Sequence, residues 1–384
     1  MDEIKKEKMT FHLLCVAHSV TSHEYPTDAF VLKTMWLSKM LLSLGHTVYV
    51  YGVEGSEVEC TEFINVVPRT EFDKSYGNRD DGDVNNYRNV DGYAWDSFNK
   101  LGFEAIKERM VDPKSDFALV MFGVAHKKLT DRLQAELGMH FIVEAGIGHP
   151  GSYAPFRVFE SYAWSHWTYG NENQNNPPAF DAVIPHYYYP EYYPYEEEKE
   201  GYAVFMGRMI WSKGISVAID ATRSAGIKLV LIGNGDPTKI YEGDMSHVEY
   251  VGVKNIYEKV EYLKKAKVVI YPSLYVEPFG QVALEANLCG TPVLASDWGA
   301  FTETVKPGIN GYRCRTLDDF VWGINNIENI KPANCRKWAI ENYHADRVKL
   351  MYQEYFEKLL TLRGEGYYTI NEDRNDLNWL TKKY

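Results

Sequence analysis

Short apolar runs alternate with amphipathic or polar stretches along the first half of the chain. Buried strands are predicted where the runs FHLLCVA, HTVYVYG, FALVMFG and HFIVEAG stand, at 11–17, 46–52, 117–123 and 140–146. An amphipathic helix is predicted over 29–44, and it stops at Gly45. The segment 54–92 is polar and without a regular period, so we expect it to be irregular. A strand, a helix and a second strand in this order indicate a βαβ unit and a parallel sheet.

The second half of the chain repeats this alternation. The runs YAVFMG, KLVLIGNG, KVVIYPS and TPVLAS predict four strands, at 202–207, 228–235, 267–273 and 291–296. Helical periodicity predicts helices over 216–225, 278–289 and 332–360, the last with a break near Asn342. This pattern predicts a second α/β domain.

A segment rich in Tyr, Pro and Glu, HYYYPEYYPYEEEKE, separates the two halves at 186–200 and has neither a strand nor a helix period. We therefore expect a domain linker there. The predicted organisation is an N-terminal domain at 1–190, a C-terminal domain at 191–361 and a tail at 362–384. The fold class is α/β with two doubly wound, Rossmann-like domains, in which ligands bind beyond the carboxyl ends of the strands.

Composition narrows the class of protein. A chain of 384 residues with 45% hydrophobic and 24% charged residues is typical of a globular protein of two domains. A net charge of -12 argues against broad binding of nucleic acid or anionic membranes. No stretch approaches the roughly 18–20 apolar residues of a membrane span. The five cysteines are scattered and odd in number, which favours a reducing compartment, and we expect a cytoplasmic location.

Two glutamates stand eight positions apart in EPFGQVALEANLCG. Glu277 follows a predicted strand, whereas Glu285 lies within a predicted helix that is apolar on most sides. A buried carboxylate needs hydrogen-bond donors or a cation, so ligand hydroxyls and a salt bridge both remain open for Glu285. Eight helical residues advance about 12 Å, beyond the roughly 5–9.5 Å of glycosidase carboxylates. The pair is better placed to hold opposite ends of an extended ligand.

A cationic loop lies upstream in GRMIWSKG, with Arg208 and Lys213 directly after a predicted strand. Gly207 and Gly214 would allow the backbone to approach a ligand closely. Two cations and a helix N-terminus can balance a diphosphate without a metal ion. A solvated loop is the alternative interpretation of the same residues.

These motifs together carry a family resemblance. The order GR-x4-KG, LIGNG, VGV, PS-x3-EPFG-x4-E and GTPVLAS resembles the C-terminal domain of retaining nucleotide-sugar glycosyltransferases of the GT-B type, in particular family 4. The resemblance covers about 201–315 and is looser in the N-terminal half, where SVTSHEYPTD replaces the usual glycine pair. It implies a GT-B fold, in which two Rossmann-like domains face each other across a cleft.

The resemblance also implies roles for individual residues. Glu285 would hold the ribose hydroxyls, and Glu277 would contact the donor sugar. Arg208 and Lys213 would neutralise the diphosphate as charge develops on the leaving group. Val251 to Val253 would lie beside the base. The remaining residues of the implied donor site are Gly207, Gly233, Phe279, Gly280 and Gln281.

Three histidines end apolar runs in the N-terminal half. His149 is the first candidate to contact the reacting sugar, and His18 and His126 are alternatives on the acceptor side, with Glu144 near His149. A structural histidine remains an equally valid interpretation of each. The same loop, GIGHPG at 146–151, matches GxGxxG, but prolines interrupt the helix that a dinucleotide site requires.

We therefore expect a retaining, metal-independent glycosyltransferase that needs no cofactor. The DxD triplet Asp81–Asp83 lies in a polar loop without a preceding strand, so no metal site is predicted there. The expected partners are a UDP-, GDP- or ADP-sugar donor and an acceptor that is a glycan, a lipid, a protein or a modified nucleobase. The alternatives are a nucleotide-sugar epimerase or phosphorylase on the same scaffold and a non-catalytic nucleotide-sugar or glycan-binding protein.

Overall fold

The computed structural model describes residues 8–24, 29–78 and 90–362. These residues form two compact units, each built from more than one segment of the chain. The N-terminal unit takes the described residues of Met1–Phe159, Asn176–Ile184 and Lys349–Tyr384, and the C-terminal unit takes Glu160–Asn175 and Pro185–Val348. The sequence-based boundaries after 190 and 361 follow the chain linearly and stay predictions. The predicted tail, apart from Leu362, lies outside the described residues.

The N-terminal unit is built on a parallel sheet of seven strands in the order β3-β2-β1-β4-β5-β6-β7. Its strands are β1 (Thr10–Leu14), β2 (Thr47–Val53), β3 (Glu62–Val67), β4 (Phe117–Val120), β5 (Phe141–Ile147), β6 (Phe156–Phe159) and β7 (Ala182–Val183). This order is that of the Rossmann fold with one strand added, and its direction reverses between β1 and β4. Ligand-bearing loops are expected at the carboxyl ends of those two strands.

Among the described residues, four α-helices belong wholly to the N-terminal unit. They are α1 (Ala29–Ser43), α2 (Arg69–Tyr76), α3 (Tyr93–Arg109) and α4 (Lys127–Leu137). Phe72, Trp95, Phe98 and Leu129 pack from α2, α3 and α4 into one buried cluster with strand residues. The expectation of an irregular segment at 54–92 is wrong for 62–76, where β3 and α2 form.

The C-terminal unit is built on a parallel sheet of six strands in the order β10-β9-β8-β11-β12-β13. Its strands are β8 (Tyr202–Met206), β9 (Lys228–Ile232), β10 (Val248–Tyr250), β11 (Val268–Tyr271), β12 (Val293–Ser296) and β13 (Gly311–Cys314). Within this unit the order is again that of the Rossmann fold, and it reverses between β8 and β11. All residues of β11 are buried, as expected of a parallel strand covered on both faces.

The helices of this unit are α5 (Tyr162–Asn171), α6 (Ile215–Ser224), α7 (Ile256–Lys265), α8 (Gln281–Leu288), α9 (Phe301–Thr304), α10 (Leu317–Asn325) and α11 (Pro332–Tyr343). A final helix, α12 (Ala345–Thr361), begins in the C-terminal unit and continues into the segment assigned to the N-terminal unit. The long helix predicted at 332–360 is therefore broken at His344, two residues after the predicted position. Within the described parts of the chain, no helix is long and apolar enough to cross a membrane.

The tyrosine-rich segment is packed more closely than a linker requires. Tyr188 and Tyr193 are buried within the C-terminal unit, and their rings meet edge to face at 5.7 Å. The Tyr188 hydroxyl donates to the Gln281 carbonyl oxygen over 3.1 Å, at the first residue of α8. The segment thus supports the helix that carries Glu285.

Candidate functional site

The loops after β8 and β11 approach each other where the strand order of the C-terminal unit reverses. Gly214 has φ +74°, and a Cβ atom on it would lie 2.0 Å from the Pro272 carbonyl oxygen. Gly233 has φ +145°, and a Cβ atom there would lie 1.9 Å from the Gly207 carbonyl oxygen. Only glycine permits these approaches, so the sequence itself brings the loops after β8, β9 and β11 together.

Glu277 and Lys213 form a buried ion pair at this point. The Lys213 Nζ lies 3.1 Å from each carboxylate oxygen of Glu277. Oε1 also accepts a hydrogen bond from the Tyr271 hydroxyl at 3.0 Å, and Oε2 accepts one from the Ser273 hydroxyl at 2.9 Å. Four contacts match the roughly four acceptor sites of a carboxylate. Glu277 is therefore fully satisfied by protein groups.

Tyrosine hydroxyls complete this cluster as neutral donors and acceptors. Burial raises the pKa of Tyr271 well above its usual value, and the charge of Glu277 raises it further. The Tyr275 pKa is also raised, first by burial and then by Glu277, and the Tyr275 hydroxyl contacts the Lys213 ammonium. Tyr271 and Ser273 end β11 and begin its loop, which is a sequence signal that could have identified them. Their contact with Glu277 needs the fold.

Glu285 lies on α8, is only 4% exposed, and its two carboxylate oxygens differ in environment. Oε1 lies 2.6 Å from the Lys259 Nζ and 3.4 Å from the Tyr193 hydroxyl. Oε2 is buried and has no hydrogen-bond partner among the described residues; we call it the open oxygen. The salt bridge left open from sequence is therefore present, and it still leaves one oxygen for a ligand.

Arg208 stands apart from this ion-pair network. It is exposed at the end of β8, and it takes part in no ion pair within residues 8–24, 29–78 and 90–362. Its predicted neighbour Lys213 is instead paired with Glu277. The two cations predicted to act together thus differ: one is buried and compensated, and the other is exposed.

The helix that follows Glu277 begins at a glycine. Gly280 has φ +81° and stands at the N-cap of α8, where a Cβ atom would lie 2.6 Å from a Phe301 ring carbon. The Phe279 side chain is buried against the Tyr343 ring, so only the backbone of this residue is available to a ligand. Gln281 is half-buried, and its carbonyl oxygen is taken by Tyr188.

The residues predicted to lie beside the base, Val251 to Val253, sit in the loop after β10, which contacts the loop after β9. The Gly233 N–H donates to the Gly252 carbonyl oxygen at 2.9 Å, between Val251 and Val253. The Val253 side chain is 45% exposed, whereas Val251 is half-buried. The Tyr250 hydroxyl, which sequence reasoning missed, donates to the Gly233 carbonyl oxygen at 2.9 Å. These contacts hold the two loops in one arrangement.

The three candidate histidines of the N-terminal unit meet around one aromatic cluster. The His18 and His149 rings lie 5.0 Å and 6.3 Å from the Phe122 ring, and the His126 ring lies 5.3 Å from Trp95. His149 is partly exposed, whereas His18 is buried. The loops after β1, β4 and β5 supply them, so the same edge of the sheet presents all three.

His126 and Glu144 have the contacts of structural residues. His126 is fully buried, and within the described chain neither ring nitrogen has a hydrogen-bond partner. Burial lowers the pKa of His126 to about 3, and His18 and His149 contribute to the same shift. Glu144 accepts hydrogen bonds from the backbone N–H groups of Tyr153 and Ala154. Their predicted place on the acceptor side stays a prediction.

Two motifs that the sequence analysis rejected, the GxGxxG loop and the DxD triplet, can also be located along the chain. Gly146 lies within β5, and the next element is the strand β6 rather than a helix. The DxD triplet at 81–83 lies outside the described residues. In the parts of the chain that the structure describes, no group of three or more His, Cys, Asp or Glu side chains is arranged to hold a metal ion.

The predicted site residues of the C-terminal unit lie within the range of a known family model. Residues 194–344 match the family model described as "Glycosyl transferases group 1". The chain carries a group 1 glycosyltransferase domain. The matched range contains the cationic loop, both glutamates, Lys259 and the loops after β9 and β10. The resemblance to group 1 glycosyltransferases that was predicted from sequence is confirmed over this range.

Known proteins support the assignment of this glycosyltransferase domain. An uncharacterized glycosyltransferase of Methanocaldococcus jannaschii is 32% identical over 171 residues, which cover 41% of this chain and 42% of that relative. The chain thus matches less than half the length of this curated relative.

Solved structures define the fold. AviGT4, a glycosyltransferase involved in avilamycin A biosynthesis, matches with a TM-score of 0.65 at 20% identity, covering 92% of this chain and 98% of its own. Anabaena HepE, in complex with UDP and glucose, matches with a TM-score of 0.63 at 14% identity, covering 91% and 99%. The predicted GT-B fold with two Rossmann-like units is confirmed.

Sequence reasoning missed the partners of the two glutamates in the glycosyltransferase domain. Lys259 lies on α7 and Tyr193 in the tyrosine-rich segment, far along the chain from Glu285. No local motif marks either residue, because their contacts arise when α7 and residues 185–200 pack against α8. The ligand roles of the site residues stay predictions.

Proposed function

We propose that the protein transfers a sugar from a nucleoside diphosphate donor to an acceptor hydroxyl, with retention of anomeric configuration and without a metal ion. The C-terminal unit would bind the donor and the N-terminal unit the acceptor. The observation that carries this proposal is the open oxygen of Glu285, a buried carboxylate atom without a partner among the described residues. Leaving such an atom unpaired is costly, and a ribose hydroxyl would satisfy it.

The diphosphate would lie between Arg208 and the start of α8. The exposed Arg208 guanidinium can donate two parallel hydrogen bonds to phosphate oxygens. Within the described chain, no side chain caps the N-terminus of the helix after Gly280, and the helix dipole there favours an anion. Together these groups would stabilise the negative charge that develops on the leaving diphosphate.

Lys213 would take a more limited part than its motif implies. Its ammonium contacts both oxygens of Glu277 and the Tyr275 hydroxyl. In our proposal a phosphate oxygen replaces the Tyr275 hydroxyl, while the bond to Glu277 persists. Lys213 then fixes Glu277, and a hydroxyl of the donor sugar would displace one of the protein hydroxyls that now donate to the Glu277 carboxylate.

Further parts of the proposal come from resemblance and composition. HepE was solved with UDP and glucose, which supports the nucleotide-sugar class, with UDP-, GDP- and ADP-sugars as the candidates. Retention and metal independence are carried from the motif resemblance. The five scattered cysteines support a cytoplasmic location. His149 is the proposed contact of the N-terminal unit with the reacting sugar.

A donor screen tests this function. UDP-, GDP- and ADP-sugars are added to the protein with EDTA, and the melting temperature, the released nucleoside diphosphate and the anomeric configuration of any product are measured. We expect one donor class to raise the melting temperature by mass action and to be turned over. Arg208→Ala should abolish most of this turnover, whereas Arg223→Ala, which removes an exposed arginine paired with Asp220 on α6, should not.

Other outcomes separate the alternatives. Interconversion of nucleotide sugars without transfer would indicate an epimerase, and sugar release that needs inorganic phosphate would indicate a phosphorylase. Saturable binding without turnover, with glycan, lipid and protein acceptors screened, would indicate a binding protein. Absence of both binding and turnover with all donors would overturn the proposal.

A further inference from the structure

The carboxylate of Glu285 is held asymmetrically. One oxygen, Oε1, lies 2.6 Å from the Lys259 ammonium and 3.4 Å from the Tyr193 hydroxyl. The open oxygen is buried and has no hydrogen-bond partner among the described residues. Among the described residues, protein groups therefore hold the Glu285 carboxylate through one oxygen.

Both partners of Oε1 are well placed to fix the orientation of the Glu285 carboxylate. The Lys259 side chain is only 12% exposed, and the Tyr193 side chain is fully buried. Burial raises the pKa of Tyr193 well above its usual value, so its hydroxyl keeps its proton and donates it. A buried ammonium and a neutral hydroxyl on the same oxygen restrict rotation of the carboxylate about its last bond.

Lys259 connects two parts of the proposed donor site. It lies on α7, which begins after Asn255 with a capping box formed by the Asn255 and Glu258 side chains. The loop before this helix contains Val251 and Val253, the residues proposed to lie beside the base. The helix that follows the base loop therefore reaches, through one side chain, the carboxylate proposed to hold the ribose.

We propose that Lys259 and Tyr193 are positioning residues that hold the Glu285 carboxylate in one orientation and present the open oxygen to the vicinal hydroxyls of a ribose. This inference rests on the proposed function, and it adds a specificity: the site selects ribonucleotides over 2′-deoxyribonucleotides. A ribose hydroxyl donating to the open oxygen satisfies a buried charged acceptor. A 2′-deoxyribose keeps only its 3′ hydroxyl and so loses one hydrogen bond to that acceptor, which lowers its affinity.

The test compares nucleotide pairs. Dissociation constants are measured by calorimetry for UDP, GDP and ADP and for their 2′-deoxy counterparts. In the wild-type protein, the nucleotide that binds most tightly should bind roughly 10- to 100-fold more tightly than its 2′-deoxy form, as expected for a hydrogen bond to a charged group. Glu285→Gln should reduce this ratio to below about threefold, because the charged acceptor is lost.

The decisive variants leave Glu285 in place. Lys259→Met should also reduce the ratio to below about threefold, and Tyr193→Phe should reduce it by about half, since its contact is longer. Lys259→Arg restores the cation and should recover most of the ratio. Lys264→Met is the matched control, because Lys264 lies on the same helix and pairs with Glu261 at the surface. It should leave the ratio unchanged.

The outcomes separate the inference from the function beneath it. If Glu285→Gln loses the ratio but Lys259→Met and Tyr193→Phe keep it, the positioning role is overturned and the donor site stands. If no nucleotide binds, or if the wild type shows no preference for ribose, the proposed use of Glu285 fails. If Lys259→Met does not fold, Lys259→Arg and Tyr193→Phe decide. A purely structural Lys259 would lower the melting temperature without changing the ratio.

Discussion

The pair formed by Lys213 and Glu277 gives the sharpest test of the energetics of the site. Lys213→Met keeps most of the side-chain volume and removes the ammonium. Glu277, only 6% exposed, then keeps the hydroxyls of Tyr271 and Ser273 and loses its counter-ion. Removing one partner of a buried ion pair costs about 3–5 kcal/mol. Because two hydrogen bonds remain, we expect the lower end of that range.

Thermal unfolding measures this loss. For a unit of 150–250 residues, each kcal/mol shifts the melting temperature by roughly 2–4 °C. Lys213→Met should therefore lower the transition of the C-terminal unit by roughly 6–12 °C. The double variant Lys213→Met/Glu277→Gln should recover part of the loss, since no unpaired buried charge remains. Circular dichroism and calorimetry at neutral pH report both shifts.

An exposed ion pair of the same unit provides the control. Lys228 and Glu249 approach to 2.6 Å, closer than the 3.1 Å of the buried pair, but their side chains are 55% and 49% exposed. Water and ions screen such a pair, so Lys228→Met should cost under about 1 kcal/mol. Burial, not distance, would then set the difference. The reasoning is refuted if Lys213→Met melts within about 2 °C of the wild type or if the two lysine variants lose equal stability.

Three further changes test other parts of the account. Gly233→Ala forces a Cβ atom against the Gly207 carbonyl oxygen, so it should lower the free energy of unfolding by about 1–3 kcal/mol and weaken donor binding. Gly252→Ala places its Cβ atom in open space, so it should cost no more than the positive φ of this residue requires. Equal losses of stability in calorimetry would contradict this. Arg208→Ala should lower kcat with the identified donor by about 10²–10³-fold with little change in melting temperature. If the variant turns over the donor as fast as the wild type, Arg208 does not take part in the reaction. The pKa of His126 is lowered to about 3, so its contribution to the free energy of unfolding is fully present above pH 6.5 and is lost as the pH falls toward 3. His126→Phe should flatten this dependence of stability on pH between pH 7 and 4.5. An unchanged slope would refute the assignment.

The fold could be predicted from sequence wherever strands are buried on both faces. The runs before Cys15, at 117–123 and at 202–207 read as continuous apolar stretches because helices cover both faces of their sheets. The strand β3 was missed because it lies at a sheet edge, where Glu62 is exposed and the apolar run is interrupted. Polarity alone therefore led to the wrong expectation at 62–76.

The site could be predicted only as far as local motifs reach. The motif after β11 places Glu277 at a strand end and Glu285 inside a helix, and the structure has both there. That Lys213 pairs with Glu277 rather than standing beside Arg208 depends on Gly214 packing against Pro272. Lys259 carries no sequence signal at all, because its contact with Glu285 exists only after α7 has packed on α8.

The most direct test of the central claim is a crystal structure of the protein with the nucleoside diphosphate that binds most tightly among UDP, GDP and ADP. We expect a ribose hydroxyl about 2.6–3.2 Å from the open oxygen of Glu285, with the Lys259 contact to Oε1 retained. The phosphates should lie between Arg208 and the start of α8. A nucleotide bound elsewhere on the C-terminal unit, or one whose ribose leaves the open oxygen without a partner, would contradict the account.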